Sequence, residues 1–282
     1  MSIICPLCRH PLQPIDKSWR CSNQHSFDIA RQGYTNLLPV QHKKSRAPGD
    51  DAAMVNARRQ FLDGGYYQPL SAQINQVALE YLQQNAIAKP LLIDAGCGEG
   101  YYSSRLKSAC NAQQFNIDLT GIDISKPAIH AAAKRDASMR WFVASSSAIP
   151  IADHSADMLL CLFAPLQAAE FYRCLKPQSL LVVASTGKNH LLELREQLYT
   201  QVHDRVFDPA TAVGQYFSWC QTYNVNFNIH LPDTLTIKNL LAMTPHYWRV
   251  SPQRKGVLDT LDNLSVTVDI QLHTFQPRLS AC

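Results

Sequence analysis

The chain has 282 residues, 46% of them apolar and 17% charged, with 26 Lys and Arg against 22 Asp and Glu for a net charge of +4. This length fits one large domain, or one with a small added module, and the composition excludes disordered and low-complexity chains. The longest apolar run, residues 158–166, falls well short of the roughly 20 residues that span a bilayer, and residues 1–8 lack a signal-peptide pattern, so a soluble, cytoplasmic protein without a membrane partner is expected.

Charge is unevenly placed. Residues 1–60 hold Arg9, Lys17, Arg20, Arg31, Lys43, Lys44, Arg46, Arg58 and Arg59 against Asp16, Asp28, Asp50 and Asp51, and the remainder is close to neutral. A basic end presented by a neutral body suits a polyanionic partner.

Residues 1–35 are short runs broken by Pro6, Pro11, Pro14 and Gly33, too few to build a core alone, so a metal is expected to hold them. Nine cysteines, an odd number without framework spacing, do not describe a disulfide scaffold. Cys5-x2-Cys8 and Cys21-x3-His25 offer three thiolates and an imidazole, a closed tetrahedral shell for structural zinc with no open position for water. His10 is an alternative fourth ligand. Loss of a ligand is expected to loosen residues 1–35 and leave the rest folded.

Residues 36–68 form a polar, basic connector with a turn at Pro48-Gly49-Asp50 and a helix over 51–62 ended by Gly64-Gly65. From residue 69 the periods alternate. Helices are expected at 70–84, 101–109, 127–135, 166–174 and 190–202, and strands at 91–95, 119–124, 141–144, 158–163 and 180–185. Two further strands, 224–231 and 265–273, flank a helix over 234–243, while 204–223 gives no readable pattern. Strands separated by helices need crossover connections, so residues 69–282 are expected to form a doubly wound α/β domain with a seven-stranded Rossmann-like sheet.

The strand at 91–95 carries Asp94 and runs into Gly96-Cys97-Gly98-Glu99-Gly100 before a helix, a geometry that brings backbone close to a ligand. The spacing is not the dinucleotide G-x-G-x-x-G, and no G-K-[ST] follows. Asp123 ends the next strand, where a carboxylate can accept both hydroxyls of a ribose; Asp118 is the less suited alternative.

D-A-G-C-G-E-G followed by G-I-D-I-S resembles the motifs of class I methyltransferases, which implies S-adenosylmethionine at this strand end, with Ser145 to Ala148 in the adenine position. Leu175-Lys-Pro177-Gln-Ser179 is similar to that group's L-K-P-G-G turn, with Gln178 and Ser179 replacing both glycines. Across the whole chain, C-P-L-C, Gly33-Tyr-Thr-Asn-Leu-Leu-Pro39, His42 to Arg46, Pro48-Gly-Asp50, Ala57-Arg58-Arg59, Tyr67-Gln68-Pro69-Leu70, Gly187 to His190 and Met243-Thr-Pro245 resemble the RlmA family.

That resemblance implies an enzyme transferring methyl from S-adenosylmethionine to N1 of a guanine in a hairpin of 23S ribosomal RNA, and not a DNA-binding protein. It implies cofactor contacts at Tyr67, Gly98, Glu99 and His190, beside Asp94, Gly96, Gly100 and Asp123 of the glycine loop. Lys43, Lys44, Arg46, Arg58 and Arg59 are the candidate phosphate contacts, with sequence read from unpaired bases. N1 lies in the Watson–Crick edge, so the guanine must be unstacked. The group that takes the N1 proton stays open between Asp28, His42, His190 and water. The rival readings are a small-molecule methyltransferase with the zinc module as a lid, and a non-catalytic RNA adaptor, which the intact glycine loop opposes. A homodimer pooling two basic arms is an expectation without a marked interface.

Overall fold

A computed structural model describes residues 3–42, 45, 47–202 and 207–279. The expected RNA contacts Lys43, Lys44 and Arg46 lie outside the described residues, as does the side chain of His42. In chain order the elements are β1 (Gln13–Ile15), β2 (Ser18–Arg20), β3 (Ser26–Asp28), β4 (Thr35–Asn36), α1 (Ala52–Asp63), α2 (Gln68–Asn85), β5 (Leu91–Ala95), α3 (Tyr101–Ala112), β6 (Asp118–Asp123), α4 (Lys126–Arg135), β7 (Arg140–Val143) and β8 (Ala156–Leu162). They continue with α5 (Ala168–Cys174), β9 (Leu175–Thr186), α6 (Leu192–Leu198), α7 (Pro209–Val213), β10 (Phe217–Leu231), α8 (Thr234–Ala242), α9 (His246–Arg249), α10 (Pro252–Gly256) and β11 (Leu264–Pro277).

Local chemistry explains where the helices start. Asp51, Ser125 and Asp233 each accept from a backbone N–H of the first turn of α1, α4 and α8, which satisfies a donor the helix itself cannot. Pro69 and Pro127 stand in the first turns of α2 and α4, where the missing N–H costs nothing.

The large sheet has the order β10-β11-β9-β8-β5-β6-β7-β4. Strands β5 to β9 pair in parallel, β11 runs antiparallel between β9 and β10, and β4 joins β7 in parallel. The expectation was seven strands; all seven are present, and Thr35–Asn36 adds a two-residue eighth at the edge. Within the segment without a readable pattern, α7 and the first half of β10 are formed.

Two apolar layers result. Leu92, Met158, Leu160, Leu162 and Val182 point into one, with Phe61, Ile74, Leu106, Ile129, Leu194 and Leu240 of the covering helices. Ile93, Leu159, Cys161 and Val183 point into the other, which is closed by Phe171 of α5 and by Ile3, Cys5, Leu12, Cys21 and Leu37 from the amino-terminal segment. Trp19 packs edge-on against Phe142 at 5.9 Å, and Ile3 pairs with Ile151. Residues 1–35 were expected to loosen on loss of a ligand with the rest still folded; Ile3, Cys5, Leu12 and Cys21 cover one face of the sheet, so such loosening would also expose that face.

Candidate active site and metal centre

The amino-terminal cluster comes first. Cys5 and Cys8 lie in one tight turn, Cys21 and His25 in a second, and their ligand atoms all lie within 4.8 Å of one another. Cys5 Sγ and Cys21 Sγ are each 3.5 Å from His25 Nδ1, and Cys8 Sγ is 3.7 Å from Cys21 Sγ. Thiolates on a tetrahedral zinc stand about 3.8 Å apart, so the donor set and its spacing fit that ion. His10 is turned away, its Nδ1 2.7 Å from Ser22 Oγ, which leaves His25 as the fourth donor.

The second centre gathers at the carboxyl ends of β5 and β6. Gly96, Gly98 and Gly100 have φ of 89°, 57° and 82°, the left-handed region that side chains disfavour. A Cβ at Gly96 would lie 2.4 Å from Ala164 Cβ, and one at Gly100 would lie 2.7 Å from the Trp141 ring. Both positions are closed to any larger residue. Gly98 is the open one, facing only the Arg58 guanidinium at 3.5 Å.

Asp123 ties the loop down, with Oδ2 accepting from Gly98 N–H at 3.0 Å and Oδ1 from Ser125 N–H at 2.8 Å. Each oxygen keeps a lone pair for a further donor. Asp94 accepts from Ser103 Oγ at 2.5 Å through Oδ2, and its Oδ1 is buried without a partner among the described residues. Burial pushes the Asp94 carboxyl up to about 7, against the Ser103 hydrogen bond, and Asp123 and Glu99 add repulsion. Glu99 accepts from Tyr101 N–H at 2.9 Å, and its Oε1 is likewise buried and has no partner among the described residues. Arg135 stands 3.7 Å from Glu99 and 2.8 Å from Asp63, linking α4, the loop and α1. Burial also raises the Glu99 and Asp123 carboxyls.

Orphaned acceptor oxygens beside a glycine cradle suit a ligand with donor and cationic groups, so S-adenosylmethionine, with its ammonium, sulfonium and ribose hydroxyls, fits these residues.

The remaining predicted residues divide. Tyr67 is buried at the start of α2 against Phe61, and its neighbour Tyr102 lies within the fields of Tyr67, Glu99 and Arg58, so Tyr67 belongs to the loop's surroundings. Arg58, read from sequence as a phosphate contact, reaches across to Gly98 and pairs with Asp50. Arg59 is exposed, 3.3 Å from Asn56 Oδ1. Ser145, Ser147 and Ala148 line a cavity of about 210 Å³ with Ile4, Arg9 and Leu38, so the segment expected beside adenine also borders the zinc module.

His190 lies after β9, where its Nδ1 accepts from Asp269 N–H at 3.3 Å. Burial, then the fields of His246 and Arg195, lower its pKa to about 4. A neutral ring whose Nδ1 accepts must carry its proton on Nε2, so His190 offers a donor. Asp28 is exposed on β3 in the zinc module.

Phe163, not singled out in the sequence, is a further candidate beside the loop. It follows β8 with φ 57°, is 45% exposed, and is followed by Ala164, which packs on Gly96. An exposed aromatic next to a glycine loop was the available signal, but exposure is not written in a sequence.

Comparisons with known proteins agree with this geometry. Residues 3–46 match a zinc-ribbon family described as RlmA, N-terminal, and residues 92–178 match a methyltransferase domain. A Streptomyces fradiae protein named 23S rRNA (guanine(748)-N(1))-methyltransferase is 36% identical over 88% of this chain and 86% of its own length. A Bacillus subtilis (strain 168) protein provisionally named 23S rRNA (guanine-N(1)-)-methyltransferase is 31% identical over 95% of this chain and 94% of its own. One from Micromonospora griseorubida with the same provisional name is 32% identical over 97% and 96%.

Proposed function

The chain belongs to the RlmA family of 23S rRNA (guanine-N1)-methyltransferases, and from that premise we propose that it methylates N1 of one guanine in a 23S ribosomal RNA hairpin. The observation that carries the reading is the conjunction, in one body, of the tetrahedral Cys and His cluster with a glycine loop flanked by two buried, half-partnered carboxylates. A working place on ribosomal RNA in the cytoplasm follows from that substrate. No described helix is long and apolar enough to cross a membrane.

S-adenosylmethionine, when bound, supplies an electrophilic methyl group. The chain's residues do the positioning. Asp123 offers its free lone pairs to the ribose, Asp94 and Glu99 offer their orphaned oxygens to donor and cationic groups, and Tyr67 walls the pocket. The exposed Phe163 ring offers an unstacked guanine an apolar face beside the loop. His190, neutral at physiological pH, donates from Nε2 to a carboxylate or to a guanine oxygen. It is a poor acceptor for the N1 proton, which leaves water or a group on the RNA side to take it. Cys5, Cys8, Cys21 and His25 would hold zinc with four protein donors, which would shape the module and leave no position for chemistry.

A small-molecule enzyme would need the zinc module as a movable lid, but Ile3, Leu12 and Leu37 are built into the layer under the sheet. Phosphate docking by Arg59, and by Lys43, Lys44 and Arg46, completes the reading. Pairing of two copies stays a proposal that light scattering checks: a two-chain mass supports it and a single-chain mass removes it. The functional test is reverse transcription of 23S RNA from cells with and without the gene. N1-methylguanine cannot pair, so a stop at one guanine that disappears with the gene is expected, and identical profiles would overturn the proposal.

A further inference from the structure

The connection between α8 and β11, residues 243–263, is longer than a strand return requires, and its charge is divided: His246, Arg249, Arg254 and Lys255 come first, ahead of Asp259 and Asp262. Lys238 is paired with Asp259. Arg249 and Arg254 are exposed and make no ion pair among the described residues. Two short helices, α9 and α10, present this charge together with aromatic rings. Trp248 is 66% exposed, Tyr247 meets it edge-on at 5.2 Å, and Lys255 Nζ lies 3.8 Å from the centre of the Tyr247 ring.

The lobe packs beside the segment that carries His190. His246 Nδ1 lies 3.0 Å from Tyr199 OH, and the field of His246 acts on His190. On the other side, Asn239 of α8 donates to Gln60 of α1 at 3.0 Å, which ties the lobe's root to the helix carrying Arg58 and Arg59. Val250 is buried beneath the two helices, so the lobe has a fixed seat.

We propose that residues 246–255 form a second RNA-binding surface, with Trp248 stacking on an unpaired base of the hairpin and Arg249 and Arg254 contacting its phosphates. The proposal rests on the RNA reading above and deepens it by adding a carboxyl-terminal contact to the amino-terminal basic end. Unpaired cations suit a polyanion, and an exposed ring held by a packed neighbour loses little entropy when a base stacks on it. A duplex without unpaired bases would use the arginines but not Trp248.

The test uses the full-length, zinc-loaded protein and the 23S hairpin, with wild type, Trp248→Ala and the double variant Arg249→Gln/Arg254→Gln. RNA affinity is measured against salt, and S-adenosylmethionine affinity by calorimetry serves as the control for an intact pocket. Trp248→Ala is expected to weaken RNA binding about tenfold or more with the salt slope unchanged. The double variant is expected to lower the slope by about 0.7 for each lost phosphate contact. If the wild type methylates the hairpin and both variants keep its affinity, slope and KM for RNA, this surface is not an RNA contact. A wild type that binds the cofactor but neither binds nor methylates the hairpin would remove the RNA reading, and this inference with it.

Discussion

On one face of the sheet, Leu92, Met158, Leu160 and Leu162 are covered by helices long enough to bring their own apolar stripes. On the other, Ile93, Leu159 and Cys161 meet the seven-residue α5 and an amino-terminal segment whose largest regular pieces are three-residue strands. The first face is held by burial, with Arg135 joining α4, the loop and α1. The second depends on chain that can keep its shape only if four side chains are tied to an ion. A metal that holds the amino-terminal segment would therefore also keep Ile3, Leu12 and Leu37 on the sheet they cover.

The largest expected effect comes from the second face. Chelation, or Cys5→Ser or Cys21→Ser, should release the metal and lower the unfolding midpoint, at a cost of about 3 kcal/mol or more from the exposure of Ile3, Leu12 and Leu37. Unchanged melting with the zinc gone would show that the segment packs without it.

A change at the site should act on binding and spare both faces. Asp123→Ala removes a charged acceptor from Gly98 N–H and from the ribose, so cofactor affinity should fall by about 1.5 to 3 kcal/mol, roughly 10- to 150-fold. Equal affinity by calorimetry would reject the ribose assignment.

The first face should respond to packing and ignore chelators. A Cβ at Gly121 would lie 2.3 Å from the Trp141 ring, so Gly121→Ala should cost about 1 to 3 kcal/mol in denaturant unfolding while zinc content stays full. Zinc loss in that variant would mean that the faces are coupled more tightly than their separate layers imply.

The mildest lever is pH. Asp94 titrates near 7 in the cofactor-free chain, well above its unfolded value, so the protonated form persists at mildly acidic pH and ionisation destabilises the fold as pH rises through 7. A protonated Asp94 cannot serve a cationic ligand as well. Cofactor affinity should therefore weaken by up to about tenfold per unit as pH falls below 7, with the dependence reduced in Asp94→Asn. A flat profile from pH 5.5 to 8, about the range over which an acid near 7 changes state, would contradict this role.

The central strands were legible because β5 and β8 are buried along their whole length and read as apolar runs interrupted only by Asp94 and Asp157. The zinc ligands were legible because their spacing lies within one short segment. Beyond these, legibility fails for physical reasons. Thr35–Asn36 is too short to show a period, and α9 and α10, of four and five residues, complete little more than one turn each. The first half of β10 is exposed through Ser218 to Gln221, so no alternation marks it. Arg58 reads as one more cation of a basic segment, and only the fold brings it to Gly98 and Asp50. The orphaned oxygens of Asp94 and Glu99 belong to the same class, since burial is a tertiary property.

The most direct measurement is transfer of labelled methyl from S-adenosylmethionine to unmodified 23S ribosomal RNA by the zinc-loaded protein, with nucleosides resolved by mass spectrometry. The account predicts label in 1-methylguanosine, at one site. Label in another nucleoside, or a protein that binds the cofactor and leaves the RNA unlabelled, would contradict it.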